Sequence, residues 1–154
     1  MKSQSVLEKL KRQNLKIAFA ESMTGGSVVS RLIKHGGASE VCELGLVTYS
    51  NEMKHEYLDI TPDDIKQYGV VSKMISMMMA ENVCIKAYSN IGVGVTGNAG
   101  PTKSPNSDVG EVWVSIYILG EMHSYHFKYA SLQREEIINK TTDAIYSLLD
   151  KLLG

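Results

Sequence analysis

The chain has 154 residues, 16 of them basic and 17 acidic, for a net charge of −1 at pH 7, and a chain of this size buries roughly two-thirds of its unfolded surface without disulfide staples. Near-neutral charge spread along the sequence argues against a nucleic-acid or anionic-membrane binder. The cysteines, Cys42 and Cys84, are too few for a disulfide framework and no apolar run approaches the roughly 20 residues that span a bilayer, so one cytoplasmic domain over 1–154 is expected.

Val6, Leu7 and Leu10 fall at helical spacing and predict a helix over residues 3–14, followed by an apolar strand over 15–20. The turn Glu21-Ser-Met-Thr-Gly-Gly26 opens a second helix through Val28, Val29, Leu32 and Ile33, which stops near Gly36-Gly37. A second strand covers 43–49. Asn51 then suits the N-cap of a short helix with Lys54 in its first turn, and Thr61 before Pro62 starts another. Ser72 caps a longer helix to about Tyr88, in which Met74, Met77, Met78 and Met79 fill an irregular core or line a subunit interface. A buried strand over 91–95 leads into a long loop, 96–110, and then two strands, 111–119 and 122–129, joined at Gly120-Glu121. Ser131 is the expected cap of a last helix with an apolar stripe of Ile137, Ile138, Ile145, Leu148, Leu149 and Leu152. This order predicts an α/β fold, a mixed sheet with helices on both faces.

The loop over 96–110 is longer than connections in a compact domain usually are unless they bind something. Its start, Thr96-Gly-Asn-Ala-Gly-Pro101, allows close backbone approach and offers amides to a phosphate or an oxyanion; a flexible surface loop is the plainer reading. Thr24, Gly25 and Gly26 stand where strand passes to helix, so their amides suit an anion, although glycine there also simply permits close packing. His123 and His126 are three apart on a strand and project to opposite faces, and no Cys/His cluster accompanies them, so no metal site is expected. Ser39, Tyr49 and Lys54 supply a hydroxyl nucleophile, a phenol and an amine, the parts of a serine-type amidohydrolase provided that burial leaves the lysine neutral. Taken singly they read equally as a surface serine, a packed tyrosine and a solvated lysine.

Four segments in order change that balance: Ala20-Glu-Ser-Met-Thr-Gly-Gly26, Gly45-Leu-Val-Thr-Tyr-Ser-Asn-Glu-Met-Lys54, Gly69-Val-Val-Ser72 and Val95-Thr-Gly-Asn-Ala-Gly-Pro101, with Val109-Gly110 ahead of a hydrophobic strand. Together they resemble the CinA C-terminal domain family over residues 7–153. The resemblance implies a three-layer α/β/α sandwich, usually a homodimer, acting on a small-molecule nucleotide. It implies hydrolysis of the carboxamide of nicotinamide mononucleotide to nicotinate mononucleotide and ammonia, with no metal or organic cofactor. In its terms Ser39 attacks, Lys54 takes the proton and Tyr49 relays or orients it; full activity in Ser39→Ala would turn attention to Ser22 or Cys42 instead. Substrate contacts are expected from Glu21, Ser22, Thr24, Gly25, Gly26, Thr96, Gly97, Ala99, Gly100 and Arg134, with an oxyanion hole at 97–100 and a phosphate cradle at 24–26. From about 10.4 the lysine pKa would have to fall by roughly two to three units for catalysis near neutrality. The chain departs from the family pattern at Met23, where Cys is common, at Asn98, where Ile is common, in the Lys103-to-Gly110 turn, and at Leu132-Gln133-Arg134, where Gly-Asp-Arg is usual. The family's molybdopterin-domain-like N-terminal partner is not part of this sequence, so its pyrophosphatase activity is not expected. The alternatives are a non-catalytic pyridine-nucleotide-binding, competence-related module, or a hydrolase for another small metabolite.

Overall fold

In the computed structural model, which describes residues 1–104 and 107–154, five strands form one sheet in the order β2-β1-β3-β4-β5. Pro105 and Asn106, within the long loop read from the sequence, lie outside the described residues. The elements are α1 (Lys2–Gln13), β1 (Ile17–Glu21), α2 (Ser27–Ile33), β2 (Cys42–Val47), α3 (Asn51–Leu58), α4 (Pro62–Tyr68), α5 (Lys73–Lys86), β3 (Ile91–Gly97), β4 (Glu111–Ile118), β5 (Glu121–Lys128) and α6 (Arg134–Leu152). β1 runs parallel to β2 and β3, while β3, β4 and β5 are antiparallel in turn. This is the mixed α/β sheet that the order of elements predicts.

The burial of each strand follows from its place. β1 is buried at every position, as a parallel strand covered on both faces must be, whereas β2 alternates between half-buried and exposed residues at the sheet edge. On one face Val6 and Leu10 of α1, Val28 and Leu32 of α2, and Ile137, Ile145 and Leu149 of α6 pack on Phe19, Val93, Val114 and Ile116. On the other, Leu58, Ile75, Met79 and Val83 pack on Ala18 and Ala20. Met79 is therefore core filler, whereas Met74 is exposed. A Cβ at Gly92 or Gly94 would run into the backbone carbonyls of Ala80 and Ser76, so glycine here is what lets α5 lie directly on β3. At that contact the Ser76 and Ser115 hydroxyls are 2.6 Å apart and those of Ser115 and Ser124 2.8 Å, pairing polar groups that the close approach buries.

Several boundaries differ from the sequence-based expectation for local reasons. Ser50, not Asn51, caps α3, its Oγ accepting the Met53 N–H at 3.2 Å. Gln133 caps α6 in a reciprocal box with Glu136, while Ser131 stands outside the helix with a φ of 61°. β3 continues through Gly97, so Thr96 is a strand residue. A short 3-10 turn, Ala38–Glu40, precedes β2. His126 stacks on Trp113 with centroids 4.1 Å apart and bonds Glu111 at 2.9 Å. No helix among the described residues is long and apolar enough to cross a membrane.

Gly94→Ala is expected to lower stability by about 1–3 kcal/mol, because the new methyl group must displace α5 backbone rather than a side chain. Urea denaturation checks this, with Gly36→Ala as the control at a site without a positive φ where nothing lies within 4 Å of the added carbon.

Candidate active site

The chain leaves β1 for β2 on one side and comes back through α3, α4 and α5 to β3 on the other, which makes the carboxyl end of β1 a topological switch point. Open α/β sheets bind ligands in the crevice at such a point. A cavity of about 500 Å³ lies there, lined among others by Ser22, Tyr49, Lys54, Thr96, Ala99 and Arg134. Ser22 follows β1, Tyr49 follows β2, Lys54 belongs to the first turn of α3, and Thr96 is the penultimate residue of β3. The charged lining residues are Lys54, Lys103 and Arg134, and no carboxylate is among the described lining residues. Lys103 lies 3.4 Å from Asp108 at the exposed rim.

Lys54 is the centre of the cluster. Only 1% of the residue is exposed, and its amine donates to the Ser22 hydroxyl at 3.1 Å and to the Thr48 carbonyl at 2.7 Å. Burial disfavours the ammonium and pulls the pKa from its ordinary 10.5 to about 8. A lysine so perturbed is partly neutral near physiological pH and able to accept a hydroxyl proton from the serine it touches. The expectation of a partly neutral lysine thus has a physical cause, desolvation, and its hydroxyl partner is Ser22.

Ser39 is not brought to this cluster. It is exposed in the turn before β2, and because Cys42 pairs with Ile17 in a parallel register, it lies beyond the amino ends of the strands. A strand of this length separates it from Ser22 by ~15–20 Å along the sheet. The expected pairing of Ser39 with Lys54 is not what the fold gives: Ser39 precedes β2 whereas Lys54 follows it, and the strand between carries the two to opposite edges. The signal that points to Ser22 is a hydroxyl residue immediately after β1, at the same edge where the lysine's own strand ends. Tyr49 is also not between the serine and the lysine. It is 63% exposed at the rim, where its hydroxyl accepts from Arg134 Nη2 at 2.8 Å, and Arg134 Nη1 donates to the Gly100 carbonyl at 2.6 Å.

The expected phosphate cradle at 24–26 is filled from within. Glu21, 1% exposed, accepts the Thr24 hydroxyl at 2.6 Å and the Gly26, Val28 and Val29 amides at 3.1, 3.1 and 2.9 Å. The Gly25 amide goes to the Ser22 carbonyl at 3.1 Å. Glu21, Thr24, Gly25 and Gly26 stand behind Ser22 and do not line the cavity. Of the amides expected at an oxyanion hole, that of Asn98 goes to Glu111 O and that of Gly100 to the Asn98 side chain, both at 2.9 Å. Strand alternation then turns the Gly97 N–H away from β4, toward the β1 side and past Gly94, the last position of β3 paired with β1. Thr96 Oγ1 donates to Val70 O at 2.9 Å and anchors the Val70-Val71 wall. No group of three or more His, Cys, Asp or Glu among the described residues is gathered to hold a metal ion.

Comparison with known proteins gives the same fold throughout. A family model for the CinA C-terminal domain matches residues 1–153. A competence-damage inducible protein of Clostridium botulinum is 36% identical over 149 residues, 96% of this chain and 36% of its own length. A CinA-like protein of Dictyoglomus thermophilum is 40% identical over 118 residues, 76% of this chain and 29% of its own. The chain spans about a third of the length of these curated relatives. Among solved structures, a competence/damage inducible protein from Agrobacterium tumefaciens superposes with a TM-score of 0.94 at 28% identity, covering 99% of this chain and 94% of that one. A competence or damage-inducible protein from Enterobacter asburiae gives 0.95 at 25% identity, covering 99% and 96%.

The Lys54 shift sets a pH dependence of stability. Between about 8 and 10.5 the unfolded chain holds more protons at this site than the folded one, so the lysine's share of stability is full above 10.5 and is lost as pH falls through 8. Lys54→Met is therefore expected to raise stability at pH 7 by about 1–3 kcal/mol and by less at pH 10, measured by urea midpoints at both values. An equal gain at the two pH values would show that the shift is absent.

Proposed function

Because the chain belongs to the CinA C-terminal domain family, we propose that it is an amidohydrolase that converts nicotinamide mononucleotide to nicotinate mononucleotide and ammonia, with Ser22 as nucleophile and Lys54 as base. The observation that carries this reading is the buried amine 3.1 Å from the Ser22 hydroxyl, with burial lowering its pKa to about 8. A cavity of about 500 Å³ lined by Arg134, with Lys103 at its rim and no acid among the described lining residues, suits an anionic mononucleotide in size and charge.

In this mechanism neutral Lys54 takes the Ser22 proton as Oγ attacks the carboxamide carbon, and the carbonyl electrons move onto oxygen. The Gly97 amide is our assignment for one oxyanion donor. Collapse breaks the C–N bond, the Lys54 ammonium protonates the departing nitrogen, and ammonia leaves an ester on Ser22. Water, giving a proton to Lys54, then attacks the ester; Lys54 returns that proton to the departing Ser22 Oγ, and the acid released loses its own proton to solvent as the carboxylate. The Thr48 carbonyl holds the amine in place through both halves. Arg134, tied to Tyr49 and Gly100 and facing the cavity, is the assigned partner of the phosphate, so Tyr49 orients the arginine rather than relaying a proton. A cytoplasmic homodimer belongs to the same proposal, and a monomeric mass by light scattering at micromolar concentration would count against that part.

Ammonia release from nicotinamide mononucleotide, measured with chelator present, is the test. Ser22→Ala and Lys54→Ala should each abolish turnover, Ser39→Ala should stay within about twofold of wild type, and kcat/KM should fall about tenfold per pH unit below 8. Nucleotide binding without ammonia release would favour a non-catalytic binding module.

A further inference from the structure

Behind the nucleophile lies a carboxylate that the reaction does not use. Glu21 is the last residue of β1, buried, away from the cavity, and none of the ion pairs among the described residues includes it. One oxygen gathers the Thr24 hydroxyl and the Gly26 and Val28 amides, and the other takes the Val29 amide. All four donors follow Ser22, two from the turn itself and two from the start of α2, so the carboxylate that precedes the serine closes the turn into a ring. Gly25 and Gly26 hold φ values of 62° and 101°, with nothing nearer than 3.7 Å to an added Cβ, so a backbone conformation rather than space is what the turn demands. The Glu21 carbonyl also accepts the Thr48 N–H at 2.9 Å, and Thr48 in turn holds the Lys54 amine. Glu21 therefore reaches the serine through one peptide bond and the lysine through one residue.

We propose that Glu21 is the positioning residue of the nucleophile, holding the turn over 22–26 so that Ser22 Oγ stays within hydrogen-bond reach of Lys54 Nζ. The inference rests on Ser22 being the attacking group. Glutamine at this position keeps the shape but replaces an acceptor with an NH₂ group that confronts backbone N–H donors. A turn relaxed by about 1 Å at a reacting oxygen lowers turnover by about 100-fold, without a matching change in substrate affinity.

The test uses two readouts on wild type, Glu21→Gln and Thr24→Val. One is the rate at which a small fluorophosphonate labels Ser22, followed by intact mass, and the other is kcat and KM for ammonia release. Circular dichroism melts report folding. Folded Glu21→Gln should label and turn over about 100-fold more slowly with KM within about threefold of wild type. Thr24→Val, which removes only the 2.6 Å bond and serves if the first variant does not fold, should slow both about tenfold. Wild-type labelling rates in the folded variants overturn the inference, as does a raised KM with kcat kept, which would make Glu21 a substrate ligand. Labelling of wild type at Ser22 without ammonia release sinks the substrate assignment alone, and the Glu21 inference is then decided by labelling rates. A wild-type Ser22 that resists the probe overturns the nucleophile and this inference together.

Discussion

The hydrogen bond from the Lys54 amine to the Ser22 hydroxyl is the interaction around which this molecule is organised. It joins the segment after β1 to the first turn of α3, and it exists only because adjacent parallel strands end at one edge of the sheet. A lysine in that position is an unfavourable guest: it is buried, and protein contacts offer its amine a hydroxyl and a carbonyl rather than a counter-charge. The fold tolerates it because two extensive apolar clusters pack on the faces of the sheet and because α5 seats directly on β3 at Gly92 and Gly94. Local strain of this kind at a site, supported by ordinary packing elsewhere, is a common arrangement in enzymes.

Charge is distributed around that bond with a clear division. Behind Ser22, the Gly26, Val28 and Val29 amides face inward to Glu21, so the start of α2 is satisfied by the chain itself. In front, the cavity presents Lys54, Lys103 and Arg134. An anionic ligand is thus attracted to the rim and wall and has no claim on the turn. That separation leaves the geometry at Ser22 set by the chain itself rather than by whatever charge enters the cavity. Arg134 fits the division: it is the first residue of α6, and its guanidinium reaches a phenol and a carbonyl, both neutral acceptors.

Much of the architecture was legible in the residues. Apolar runs such as 15–20 and 91–95 marked buried strands because a strand covered on both faces has no polar side to show. Caps were legible in kind more than in position. Thr61 and Ser72 cap α4 and α5 as expected, whereas Ser50 and Gln133 displaced the anticipated Asn51 and Ser131 because the cap is chosen by backbone conformation, and Ser131 is left-handed. Tyr49 and Lys54 were found as cavity residues, and Ser22, Thr96, Gly97, Ala99 and Arg134 line the same cavity.

The sequence alone determined the class of fold and the family and pointed to Lys54 as a cavity residue, since periodicity, turn chemistry and motif order are properties of neighbours along the chain. Which serine meets that lysine was decided only in three dimensions. Ser39 is the nearer in sequence, yet a strand lies between it and Lys54 and carries the two to opposite edges, whereas Ser22, more remote, ends the adjacent parallel strand. The same holds for Glu21, which reads as a ligand in its motif and becomes an internal anion once α2 folds back over the strand end. Chain separation does not measure spatial distance in a parallel sheet, because each crossover returns the chain to the edge where the previous strand began.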